Sequence, residues 1–106
     1  MNSYLLYGFS KGKLENLRKM VESALEITLN PHESIYHGGD YYRLNDIGAE
    51  HFILQRNLEL ENELAEDEFP DHSILLYVNE TQRADNLHMM LINNIPEITL
   101  LRREDL

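Results

Sequence analysis

The chain has no cysteine. That excludes a disulfide scaffold, a thiolate metal site and a cysteine nucleophile, and it fits a reducing compartment. Basic residues are scarce: nine Lys and Arg stand against nineteen Asp and Glu, a formal net charge of −10. A field of that sign repels phosphate backbones and anionic bilayers, so neither nucleic acid nor a membrane surface is an expected partner. No apolar run approaches the roughly eighteen residues of a membrane span. The N-terminal "MNSYLLYGFSKGK" lacks both the basic leader and the apolar length of a signal peptide. The cytoplasm is the expected location. Internal repeats are missing, and the one compositionally biased segment is acidic.

What is present is enough for one core. At 106 residues, with 42% apolar and 26% charged side chains, the sequence reads as one folded domain spanning 1–106. "SYLLYGF" (3–9) suits a buried strand closed by Gly8. Ser10 can cap a helix over 11–27, where Leu14, Leu17, Val21, Ala24 and Leu25 recur at spacings of three and four, and Asn30-Pro31 stops it. "SIYHGGDYYRLND" (34–46), with a turn at Gly38-Gly39, and "EHFILQRNL" (50–58) form an antiparallel hairpin. The continuous run "ILLYV" within 73–79 marks a central strand covered on both faces. Thr81 can cap a second helix over 82–93, ended by Asn93-Asn94 and Pro96, and "EITLLRRE" (97–104) gives a last strand. The expected class is therefore α+β: an antiparallel or mixed sheet of about five strands with two helices on one face, a variant of the ferredoxin-like split βαβ.

Catalytic constellations are hard to find. His32, His37, His51, His72 and His88, even with Asp40 nearby, show no HExxH, calcium-loop or other regular ligand spacing, so no metal or cofactor is expected. The serines include no GxSxG elbow, and Gly38-Gly39 beside Asp40 reads as turn chemistry rather than a phosphate cradle. His88 reads as a hydrogen-bonded residue at the core boundary. An enzyme is not expected.

The informative stretch is "LELENELAEDEFPD" (58–71). It holds seven carboxylates, Glu59, Glu61, Glu63, Glu66, Asp67, Glu68 and Asp71, with no Lys or Arg anywhere between Arg56 and Arg83. A polar connection lacks the apolar pocket that would raise one carboxyl pKa for acid–base work. Leu58, Leu60, Leu64 and Phe69 are interleaved with the charges, as in an interface that mixes apolar anchors with a polar rim. Tyr36, Tyr41 and Tyr42 border the glycine turn, and tyrosine supplies contact area at little entropic cost. The expected binding set is Tyr36, Asp40, Tyr41, Tyr42, Glu59, Glu61, Glu63, Glu66, Asp67, Glu68, Phe69 and Asp71.

Four stretches, "YHGGDYYR", "EHFILQRN", "FPDHSILLYVNET" and "IPEITLLRRE", together resemble a small bacterial immunity protein of contact-dependent growth inhibition and related polymorphic toxin systems. The resemblance implies a cytoplasmic inhibitor of one cognate toxin domain, often a cationic nuclease belonging to a large secreted protein, with an RNase favoured over a DNase. Homo-oligomerisation is not required by it. The alternative is a small ferredoxin-like ligand-binding or regulatory module, which expects a concave apolar pocket and a homodimer.

Overall fold

Alternating side chains in Ser3–Phe9 (β1) explain why this strand runs through the middle of the molecule: Leu5, Tyr7 and Phe9 point to one side, Leu6 and Gly8 to the other, and all five are buried. The computed structural model describes residues 1–106. The remaining strands are Asn30–Ser34 (β2), Gly39–Leu44 (β3), His51–Arg56 (β4), Ile74–Thr81 (β5) and Thr99–Asp105 (β6), and the helices are Leu14–Leu25 (α1) and Ala84–Asn94 (α2). The six strands form one sheet in the order β2-β3-β4-β5-β1-β6, every neighbouring pair antiparallel.

One face of this sheet is the core. Leu5, Tyr7, Phe9, Phe52, Leu54, Ile74, Leu76 and Val78 meet the apolar stripe of α1 and Ala84, Leu87 and Leu91 of α2. Burial of each such leucine or phenylalanine stabilises the fold by roughly 1.5–3 kcal/mol. β5 is the interior strand that its continuous apolar run predicts, paired with β4 on one side and β1 on the other. His88 holds the core boundary on α2, its Nδ1 2.8 Å from the hydroxyl of fully buried Tyr7.

Several local expectations are corrected. The sheet has six strands where about five were expected, because Asn30–Ser34 pairs with β3 and places Pro31 opposite Tyr42. A proline is tolerated there because β2 is an edge, where the missing N–H interrupts no ladder. Asn30-Pro31 therefore begins a strand; α1 ends earlier, at Leu25, where Glu26 turns left-handed with φ 57°. Its N-cap is Lys13 rather than Ser10. Arg83, not Thr81, is the N-cap of α2. Thr81 shapes the approach instead, accepting from the Arg83 N–H at 3.1 Å and donating to Glu50 Oε2 at 2.7 Å. No helix is long and apolar enough to cross a membrane.

Glu50 also receives Arg83 Nη2 at 2.7 Å and Nε at 3.0 Å, joining the start of β4 to the entry of α2. The Arg83 hydrogen bond lowers the Glu50 carboxyl pKa below its ordinary 4.5, against the opposing pull of burial. A carboxylate whose pKa falls on folding stabilises the native state above the unfolded value and loses that contribution as pH drops through the folded one. Glu50→Gln should thus cost about 0.5–1 kcal/mol at pH 7, discounted for the exposure of Arg83. The gap between wild type and variant in urea midpoint should close as the pH falls below 4.5. A gap that stays constant with pH would assign the effect to packing.

Candidate functional site: an acidic loop fastened to the open sheet face

The sheet face away from the helices is built from the alternate residues. Ile53 and Gln55 of β4, Leu75, Tyr77 and Asn79 of β5, and Leu6 of β1 occupy register positions opposite to the core set. Residues 58–72 are folded down on this face, and buried Asn57 is the fastening. Its Nδ2 lies 3.3 Å from the Glu66 carbonyl, 3.0 Å from that of Phe69 and 3.0 Å from that of His72, so two amide protons are shared among three acceptors. Its Oδ1 accepts the Glu66 N–H at 2.8 Å. The Asn57 N–H closes the ends of the loop on the Ser73 carbonyl at 2.8 Å, and the Asn57 side chain holds its interior.

Glu66 makes a second fastening. Tyr77 donates its hydroxyl to Oε2 at 2.6 Å, and Arg102 Nη1 reaches Oε1 at 3.1 Å. Burial, reinforced by the Glu66 carboxylate, raises the Tyr77 pKa well above the ordinary tyrosine value of 10, so the hydroxyl remains a donor. His72 lies at the far end of the loop against Gly8. A Cβ on Gly8 would meet the His72 ring at 2.8 Å and Leu101 Cδ1 at 2.7 Å, so only glycine lets that end close on β1.

The twelve expected binding residues separate into two groups. Glu59, Glu61, Glu63, Asp67, Glu68 and Asp71 are exposed, as is Asp40, and their carboxylates make no hydrogen bond or ion pair within the chain. Tyr36 projects from a short 3₁₀ turn, Ile35–His37, with 65% of its surface exposed, and Phe69 is half-buried. Three others are turned inward. Tyr41 is buried on the open face with the rings of His37 and His32 at 4.2 and 5.4 Å. Tyr42 points the other way, half-buried against the core with the Arg18 guanidinium 5.0 Å from its ring centre. Glu66 is spent on Tyr77 and Arg102. These three make contacts within the chain that the exposed residues of the set do not.

Ile35 belongs with the exposed residues although the sequence reading passed over it; it is 63% exposed beside Tyr36. The turn carrying both touches a second 3₁₀ turn, Leu60–Asn62, which presents Leu60 and leads to Leu64, also exposed. Gly38 permits this approach, because its φ of 76° is left-handed and a Cβ would sit 3.0 Å from the Leu58 backbone oxygen. Exposed apolar Ile35, Tyr36, Leu60 and Leu64 are thus carried by two neighbouring turns and the segment that follows, in a stretch rich in unpaired carboxylates. No group of three or more His, Asp and Glu side chains is placed to hold a metal ion. The chain matches no protein-family model and no curated protein sequence.

Proposed function

We propose that the chain is an immunity protein that binds a cognate bacterial toxin domain and neutralises it by covering its active site. One observation supports this reading above the others: unpaired carboxylates and exposed apolar side chains share a loop that is fixed from beneath by Asn57 and Glu66. Seven uncompensated charges, Asp40 among them, repel one another in the free protein, and a cationic partner supplies the compensation. A nuclease must present Lys and Arg to hold phosphates, so an acidic surface occupies the ground its substrate would take. Fixing the loop beforehand lowers the entropy lost on docking. The inhibitor needs no chemistry of its own, works in the cytoplasm beside the toxin's target, and requires no second copy of itself.

The strand order β6-β1-β5-β4, with one helix after β1 and the other after β5, supports the ferredoxin-like split βαβ reading. In that view the β2–β3 hairpin is an addition within the first crossover.

The test begins with genomic position: the gene should lie directly downstream of one for a large secreted toxin. The C-terminal domain of that toxin, an RNase assayed before a DNase, should co-purify with this chain and lose its activity in the complex. A domain that stays active and separate overturns the proposal. A screen in which a metabolite raises the melting temperature instead would favour a small ligand-binding module.

A further inference from the structure

Between the Ile35–His37 turn and the fastened loop lies a cleft of about 320 Å³ whose lining includes Tyr36, Gln55, Glu59, Glu66, Tyr77 and Asn79. We infer that this cleft receives one arginine side chain from the partner, a conclusion that rests on the inhibitor reading and names its recognition element.

The chemistry of the lining is an acceptor surplus. The Glu59 carboxylate is exposed and makes no hydrogen bond or ion pair within the chain. Glu66 accepts two hydrogen bonds and retains further lone pairs, since a carboxylate offers about four acceptor sites. Asn79 spends its amide nitrogen on His51 Nε2 at 3.2 Å and leaves its oxygen unpaired. No Lys or Arg lines the cleft. His37 also lines the cleft, its Nδ1 engaged with Gln55 Oε1 at 2.8 Å; Glu59, which no cation offsets, repels phosphate and carboxylate ligands, and a neutral apolar group would strand the acceptors without donors. A cation with many donors is the complement.

Arginine fits better than lysine. Its planar guanidinium offers five donors in a fixed fork and stacks on aromatic rings, which Tyr36 and Tyr77 provide; the lysine ammonium is a strongly hydrated point charge. The volume lies at the lower limit of the roughly 300–1,000 Å³ usual for ligand sites, suited to one long side chain rather than a drug-sized molecule.

The experiment titrates the isotopically labelled full chain with Nα-acetyl-arginine methylamide and follows amide shifts by NMR, with the citrulline and lysine counterparts beside it. Saturable binding at roughly millimolar concentration is expected. Shifts should be confined to Tyr36, the side-chain amides of Gln55 and Asn79, and Glu59. Glu59→Gln should weaken binding about tenfold, the loss of one charge-assisted contact, while Glu97→Gln on the far connection leaves it unchanged. Equal binding of the citrulline probe, shifts scattered along the loop, or an unaffected Glu59→Gln overturns the inference. A toxin domain that binds Glu59→Gln as tightly as wild type removes the cleft and leaves the inhibitor reading intact. A probe that binds as described while no toxin domain ever does removes the inhibitor reading and leaves the cleft.

Discussion

Replacing Asn57 with alanine releases the acidic loop from the sheet and lowers the unfolding free energy by about 2–4 kcal/mol. The size follows from what the amide does. It is 2% exposed and serves three carbonyls and one N–H at 2.8–3.3 Å. Alanine leaves the Glu66 N–H and the His72 carbonyl unpaired on the inner side of the loop, each costing roughly 1–3 kcal/mol if it stays buried, while the Glu66 and Phe69 carbonyls keep the N–H groups of Phe69 and His72. The loop escapes part of that cost by lifting into water, which is why the sum is not reached. Urea denaturation measures the stability loss, and amide exchange at Glu66, whose N–H is held by Asn57 Oδ1, reports the release locally. Asn57→Asp is the informative companion, since it keeps that acceptor, loses both donors and buries a charge, so it should rescue nothing. Persistent protection at Glu66 in the alanine variant would show that Tyr77 and Arg102 hold the loop unaided.

The same loop shows where sequence reading stops. Periodicity and apolar content located β1, α1, β5 and α2, because each buries a face whose pattern is written in consecutive residues; β6, an edge strand with no buried residue, was legible from its apolar content alone. β2 left no such trace: "NPHES" has no apolar alternation, and its pairing is imposed by β3 beside it. Tyr41 and Tyr42 face opposite sides of β3, as neighbours on a strand must. The glycine turn was legible as such, with Gly38 and Gly39 at φ 76° and 100°. Asn57 was not. A single asparagine at the end of a strand looks like turn punctuation, and only the folded chain brings Glu66, Phe69 and His72 within its reach. Glu66 was likewise indistinguishable from its acidic neighbours until Tyr77 and Arg102, eleven and thirty-six positions away, were placed against it.

That distinction decides how the electrostatic half of the proposal is tested. Glu63, Asp67 and Glu68 are the carboxylates to reverse, with Glu66 left alone, because a lysine there would break the clamp and confound binding with folding. Each exchange for lysine adds two positive charges, so the triple variant moves the net charge from −10 to −4. Exposed rim charges act mainly on encounter, through the long-range field, whereas desolvated pairs act on dissociation. The association rate with the cognate domain should therefore fall about ten- to a hundredfold at low salt. The deficit should shrink as ionic strength rises, since screening removes the field from the wild type too. Glu59→Gln in the cleft should show the opposite signature, a faster dissociation that salt alters little. Meanwhile the free triple variant, relieved of like-charge repulsion within the loop, should unfold at an equal or slightly higher urea concentration than wild type. Stopped-flow association with equilibrium unfolding separates the cases. Slower association with undiminished stability means these carboxylates are retained for the partner at the expense of the free fold. Loss of both properties together would make them structural, and unchanged association would move the interface elsewhere.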